Sequence, residues 1–352
     1  MKHDNDMLLI LAPGFAASET DTVCLPMQQS LVKTLLKENP DLNIIILAFQ
    51  YPYHTKTYKW FGATVTCFNG KNKGGLNRLL LRRTINKTLS GLKNKYKIIG
   101  ILSFWYGECA FVGKKFAEKN HLKHYCWILG QDAKKENKYP GKILPEKTEL
   151  ISLSDFLKDE FEKNHNVRPL HLIPPGIDDN SHYDLQRERT IDIIGAGSLL
   201  ALKRYDIFIE LIADLKKTIP AIKAVLIGGG PEKERLKALI IKNDLLENCI
   251  LTGELPHEKV MDFFLQARIL LHPSSYEGFS GVCQEALYCG AHVVSFCKPM
   301  KNDIEQWYIV ADNDAMYKKA LSILQDHNTS HQQINPYPMK VTAKKMMELF
   351  IV

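Results

Sequence analysis

Two glutamates with seven residues between them, Glu277 and Glu285, flank a Gly-Phe-Ser-Gly turn in the run PSSYEGFSGVCQEALYCG, residues 273–290. The first closes a loop after an apolar, strand-like run, and the second lies on the helix that follows. Free backbone N–H groups at such a helix start attract oxyanions, and a carboxylate on each side of the turn binds paired hydroxyls. A sugar nucleotide offers both, in its diphosphate and its two polyols. Taken alone, any such pair reads as two unrelated surface carboxylates, so the neighbouring loops decide the matter. GAGSLLALKR, residues 195–204, joins a strand to a helix through small residues that let the backbone approach a ligand, and Lys203 can meet phosphate charge. It is not G-x-G-x-x-G, so a dinucleotide fingerprint is absent. GGGPEKERL, residues 228–236, is a tight turn into a helix with Pro231 near its start, open to a structural or a ligand-binding role.

Fewer groups in the first half suggest chemistry. Trp105, Tyr106 and Glu108 follow the apolar run 98–102 and would line an acceptor cleft or simply pack the core. ILAPGF, residues 10–15, resembles the start of a hydrolase, but no G-x-S-x-G elbow exists. Eight cysteines are scattered without a C-x-x-C pair or a metal-ligand spacing, so neither a disulfide scaffold nor a metal site is expected. No cofactor is expected either.

The charge of +7 is uneven: the first 150 residues carry about eleven more basic than acidic side chains. Arg78, Arg82, Arg83, Lys87, Lys93, Lys95 and Lys97 surround Leu79, Leu80, Leu81, Ile85 and Leu89, the pattern of a basic amphipathic helix. It suits a solvated face, an anionic membrane surface or an anionic acceptor. Nucleic acid is not expected, because no recognition motif accompanies the charge. The run 7–13 is too short, and too acidic at its flank, for a signal peptide or a membrane span. The expected setting is the cytoplasm, either free, with the basic helix as a solvated face, or attached through it to a membrane's cytoplasmic face.

The elements that must position these residues alternate between short β-rich runs and helical periodicity, which argues for parallel sheets built from βαβ units. In the second half, strands are expected at 191–194, 224–227, 249–251, 269–272 and 292–296, with helices at 205–217, 232–243, 257–266 and 282–289. In the first half, strands are expected near 8–11, 44–49, 98–102, 124–129 and 150–153. At 352 residues two domains are expected: 1–175, a linker at 176–190 rich in Pro, Gly and charge, and 191–335. Residues 336–352 have helical spacing.

In order and spacing, the series from 191 to 290 resembles the donor domain of family 4 glycosyltransferases of the GT-B fold. The matching pieces are the glycine turn with Lys203, GGGPEKERL, LTGELPHEKV, HPSSYEGFSGVCQEAL and GAHVVS. The Glu277 and Glu285 pair fits that family's E-x7-E motif. More weakly, the likeness extends through SETDTVCLPMQQSL (18–31), SLSDFLKDEF (152–161) and IPPGID (173–178).

That resemblance implies an α/β chain of two Rossmann-like doubly wound domains facing a central cleft. It implies a retaining, metal-independent transfer of a sugar from a nucleotide-sugar donor to an acceptor hydroxyl, with the final helix crossing back to the first domain. By it, Gly197, Ser198, Lys203 and Gly229 lie at the donor diphosphate, and Glu285 holds the ribose. Glu277, the candidate catalytic carboxylate, contacts the transferred sugar with the Phe279 and Ser280 backbone, without a nucleophilic role assigned to it. Gly14 and Phe15 would face the diphosphate from the other domain, with Trp105 and Asp132 on the acceptor side. Two positions depart from the family's pattern: Ser198 stands where an Arg is usual, and Leu129 in WILGQD where a His is usual. The competing readings are a sugar-nucleotide epimerase on the same architecture, which would consume no acceptor, and a non-catalytic sensor, which would bind without turnover.

Overall fold

A computed structural model describes residues 6–178, 184–185, 187–326 and 328–351. The chain divides into two compact units, Met1–Asp178 with Tyr337–Val352, and Asp179–Pro336.

The first unit is built on β1 (Asp6–Gly14), β2 (Asn43–Tyr51), β3 (Thr55–Trp60), β4 (Ala63–Phe68), β5 (Lys97–Phe104), β6 (His124–Ile128), β7 (Leu150–Ser152) and β8 (His171–Leu172). They form one sheet in the order β3-β4-β2-β1-β5-β6-β7-β8, parallel everywhere except between β3 and β4. Helices α1 (Pro26–Glu38), α2 (Gly75–Lys95), α3 (Glu108–Asn120) and α4 (Asp155–His165) supply the crossovers. Met7 to Ala12 of β1 are fully buried, as a central strand covered on both faces requires. The strand order reverses between β1 and β5, so the loops after these two strands open the crevice where doubly wound sheets bind ligands.

The β3–β4 hairpin was not expected from the sequence. Its turn is Phe61–Gly62, with both φ angles positive (42° and 95°), the geometry that matches strand twist in two-residue hairpins. Ala63, Val65 and Cys67 alternate inward. The basic helix is α2, which buries only Ile85 and Leu89 fully and leaves Leu76, Leu79 and Leu80 exposed by 70%, 53% and 48%. Lys97 is not on it: it opens β5 and pairs with Asp6 at 3.1 Å.

The second unit holds β9 (Ile191–Ala196), β10 (Ala224–Ile227), β11 (Cys249–Gly253), β12 (Ala267–His272), β13 (His292–Ser295) and β14 (Trp307–Ile309) in the order β11-β10-β9-β12-β13-β14. All neighbours are parallel. Between them run α5 (Tyr205–Thr218), α6 (Lys233–Lys242), α7 (His257–Gln266), α8 (Gly281–Tyr288) and α9 (Asn313–Gln325). The apolar stripe of α5, Ile207, Phe208, Leu211, Ile212 and Leu215, is buried in the core, as its spacing predicts. Here the order reverses between β9 and β12, so the loops after them carry the crevice. The fold class is as expected: two Rossmann-like doubly wound units.

Of the expected linker, residues 179–183 and 186 lie outside the described residues. Arg189, at its far end, belongs to the second unit instead. Its guanidinium donates to the carbonyls of Phe264, Ala267 and Cys289, tying together the C-terminal ends of α7 and α8 where unpaired carbonyls collect. Burial pulls its pKa down to about 10.

The last helix, α10 (Met339–Glu348), packs on α1 in the first unit. Met339, Ala343, Met346, Met347 and Phe350 are buried there, and Thr342 Oγ1 donates to the Pro174 carbonyl at 3.0 Å. A side chain on Gly176 would collide with the Met339 backbone, which explains a glycine in IPPGID.

Candidate functional site

The site in the second unit begins with two glycine loops stacked backbone on backbone. Gly197 and Gly228 have φ of 140° and 149°, and a Cβ on Gly228 would overlap the Gly197 carbonyl. The loops are laced by Gly197 N–H to Ile227 O at 3.0 Å and Leu199 N–H to Gly229 O at 2.8 Å. Gly228 and Gly230 therefore have a structural reason, and Gly229 is closed in by the Glu254 side chain. Ser198 and Arg204 are exposed, Arg204 in the left-handed region with φ 53°.

The loop after β9 is bolted to the loop after β12. Leu202 O accepts from Ser275 N–H at 2.9 Å and from the hydroxyls of Ser274 and Ser275 at 3.3 and 3.0 Å. This brings Lys203 beside Glu277, although 73 residues separate them in the chain. Lys203 Nζ donates to Glu277 Oε1, and the same oxygen accepts from His272 Nε2 at 3.1 Å. Burial pushes the Glu277 carboxyl up, but the His272 hydrogen bond and the Lys203 charge overcome it and hold the pKa down at about 2. Burial meanwhile holds the His272 ring below the usual histidine range.

Beneath this group lies the Tyr205 hydroxyl, buried and without a hydrogen-bond partner among the described residues, beside Gly197. Burial raises its pKa.

At the start of α8, Ser280 is the N-cap residue, its side chain caps no first-turn N–H, and a Cβ on Gly281 would meet nothing within 4 Å. Phe279 is 8% exposed, its ring set edge-on to Trp307 at 5.9 Å, so its side chain is core. Glu285, one turn into α8, accepts from His257 Nε2 at 2.9 Å. The loop after β9 thus carries Lys203, and the loop after β12 carries Glu277 and leads into α8 with Glu285, which sets one cation, a helix start and two carboxylates on the switch-point elements.

In the first unit Gly14 ends β1, its Cα close to Tyr51, and the Phe15 side chain is fully buried edge-on against Trp60 at 4.8 Å. Trp105 follows β5 with a φ of 62°, half-buried. Asp132 is buried. Its carboxylate accepts from the backbone N–H groups of Tyr106, Leu129 and Gly130 at 2.8, 3.1 and 2.8 Å, joining the loops after β5 and β6. Burial outweighs these bonds and raises its pKa to about 6. Glu108 accepts from Arg82 and from the Tyr139 hydroxyl, with Arg78 at 3.6 Å, so part of the basic charge on α2 is neutralised.

Sequence reasoning missed His272 and His257, which hold the two glutamates. Their partners are five and 28 residues away, and a histidine alone carries no spacing signal. Among the described residues no group of three or more His, Cys, Asp or Glu side chains is placed to hold a metal ion.

Residues 179–336 match the family described as glycosyl transferases group 1. The chain is similar, at 30% identity over 44% of its length, to a phosphatidylinositol N-acetylglucosaminyltransferase of Arabidopsis thaliana, of which 35% is covered. It is 26% identical over 42% of its length to the UDP-N-acetylglucosamine–peptide N-acetylglucosaminyltransferase GtfA subunit of Streptococcus agalactiae, of which 29% is covered. The chain thus spans about a third of the length of these curated relatives. Among solved structures, S. aureus TarM in complex with UDP superposes with a TM-score of 0.71 at 13% identity, covering 99% of this chain and 100% of that one. Anabaena HepE with UDP and glucose gives 0.67 at 15% identity, covering 97% and 94%. At such identities these superpositions establish a shared fold alone.

Proposed function

We propose, from the premise that residues 179–336 belong to the glycosyl transferases group 1 family, that this chain moves a sugar from a nucleotide-sugar donor to an acceptor hydroxyl. The observation that carries the reading is the contact of Lys203 with Glu277 at the β9/β12 switch point, with Glu285 one turn into the helix that follows. Glu285 takes the ribose hydroxyls, Glu277 the hydroxyls of the transferred sugar, and Lys203 with the first amides of α8 the diphosphate. As the glycosidic bond breaks, charge gathers on the leaving diphosphate, where this cation and these amides stabilise it. The same cation and amides supply that stabilisation without a metal ion, and the transfer retains the anomeric configuration.

The donor is a uridine diphosphate sugar, with UDP-N-acetylglucosamine the first to try, since relatives are named for N-acetylglucosamine transfer and the similar folds were solved with UDP. Thermal melting against UDP-, GDP-, ADP- and dTDP-sugars, with magnesium or a chelator, tests it. A ligand at about a hundred times its dissociation constant adds roughly 2.7 kcal/mol. One uridine series should raise the melting temperature equally in chelator. Glu285→Ala should stay folded, giving up only the His257 contact, yet weaken donor binding by about tenfold or more, as loss of charge-assisted bonds implies. Unchanged affinity in that variant would refute the assignment.

The first unit is proposed to meet an anionic membrane surface through α2, whose exposed Leu76, Leu79 and Leu80 adjoin Arg83 and Lys87. No helix among the described residues is long and apolar enough to cross a membrane. Co-sedimentation with phosphatidylserine vesicles, lost in a triple Leu→Ser variant and absent with phosphatidylcholine alone, checks this.

A further inference from the structure

The Lys203–Glu277 contact sets a problem for the function proposed above. Lys203 is the ammonium assigned to the donor diphosphate, yet in the free protein it is spent on Glu277. A doubly charged diphosphate is the stronger partner, so donor binding must draw Lys203 away and strip the carboxylate of its cation at the moment when Glu277 has to hold sugar hydroxyls. Something else must keep it in place.

The two donors on Glu277 Oε1 differ in mobility. Lys203 reaches it on a flexible four-carbon stem and is 19% exposed on its side chain. His272 reaches it from the last position of β12, a central strand paired with both β9 and β13, and its side chain is 2% exposed. Two side-chain torsions within a packed sheet leave the imidazole no comparable freedom. The lysine can leave and the histidine cannot.

Resting on that functional reading, we propose that His272 is the positioning residue of Glu277, retaining the carboxylate while Lys203 exchanges from Glu277 to the donor diphosphate. The free-state ion pair then acts as a place-holder. It keeps both side chains ordered over the glycine loops and is broken only by a ligand bearing phosphate. Glu277 contributes through sugar contacts, and Lys203 through phosphate contacts, only after the exchange.

Isothermal titration with UDP and with UDP-N-acetylglucosamine separates these roles, because UDP lacks the sugar. Releasing Lys203 in Glu277→Gln should tighten UDP about tenfold, the worth of one charge-assisted bond, while abolishing the extra affinity that the sugar confers. His272→Asn carries an amide too short to reach Oε1, whereas His272→Gln places its amide nitrogen near the lost Nε2. The Asn variant should leave UDP binding within about twofold of wild type and lose the sugar increment by about tenfold, and the Gln variant should restore it.

Equal loss of both ligands in His272→Asn, or no rescue by His272→Gln, would show a merely structural histidine and overturn the proposal. UDP binding unchanged or weaker in Glu277→Gln would overturn the exchange. A wild-type protein that binds neither ligand would overturn the donor reading itself, an outcome distinct from both.

Discussion

His257 Nε2 lies 2.9 Å from Glu285 Oε1, so the carboxylate assigned to the ribose is gripped from α7, the neighbouring helix. The Glu285 hydrogen bond raises the His257 pKa above its ordinary 6.5, against the opposing effect of burial. A histidine whose folded pKa is raised contributes stability that is fully present below the unfolded value and is lost as pH rises through the folded one. The melting temperature of wild type should therefore exceed that of His257→Gln most at about pH 5.5, and the gap should close towards about pH 9. A gap that stays constant across that range would mean the contact does not depend on the imidazolium.

Asp132 makes the opposite kind of prediction. Its folded pKa is raised from 3.8 to about 6, so the protonated acid is favoured in the folded state and stability falls as pH rises between those values. The change is on the order of 3 kcal/mol. Asp132→Asn, neutral throughout, should lack that fall, so the difference between the two proteins' stabilities should vary through the window and flatten above it. Urea denaturation at a series of pH values measures it. Parallel curves would place the Asp132 carboxyl in a wetter setting than its three backbone bonds indicate.

Much of the second unit was legible because each of the strands β9 to β12 is followed by a glycine or proline punctuator and a helix. The expected helix 205–217 and the observed α5 differ by one residue. Legibility failed where contacts are distant in sequence or the local signal is weak. Phe61–Gly62 lacks the Asn-Gly or Asp-Gly pair that marks a hairpin, so β3 and β4 went unseen. Neither β14 nor α9 stood out, the first being only three residues long. Arg189 read as linker charge, yet its three carbonyl partners lie 75 to 100 residues away. The two glutamates of the candidate site stand out by their spacing. The histidines that hold them, and the lysine's attachment to Glu277, required the fold.

Tyr205 offers a test without ligands. Its hydroxyl is buried beside Gly197 with no hydrogen-bond partner among the described residues, and an unsatisfied buried hydroxyl costs about 1 to 3 kcal/mol. Tyr205→Phe keeps the ring and removes that cost. It should melt a few degrees higher by calorimetry. A lower melting temperature would show that the hydroxyl finds a partner in solution, such as an ordered water under the glycine loop.

The C-terminal helix is predicted to be indispensable to the first unit. Met339, Ala343, Met346, Met347 and Phe350 are each at most 5% exposed, Phe350 meets Tyr125 edge-on at 5.2 Å, and Lys123 Nζ donates to the Leu349 carbonyl at 3.1 Å. Burying a large apolar side chain contributes about 1.5 to 3 kcal/mol, so removing the helix forfeits on the order of 10 kcal/mol. That equals or exceeds the net stability of most domains. A chain ending at Pro338 should therefore lose the first unit's cooperative transition, while the 179–336 unit, whose core contains none of these residues, should keep its own. Differential scanning calorimetry, with hydrogen exchange to assign each transition, distinguishes the outcomes. An unchanged thermogram would mean that α10 lies on the first unit without supporting it.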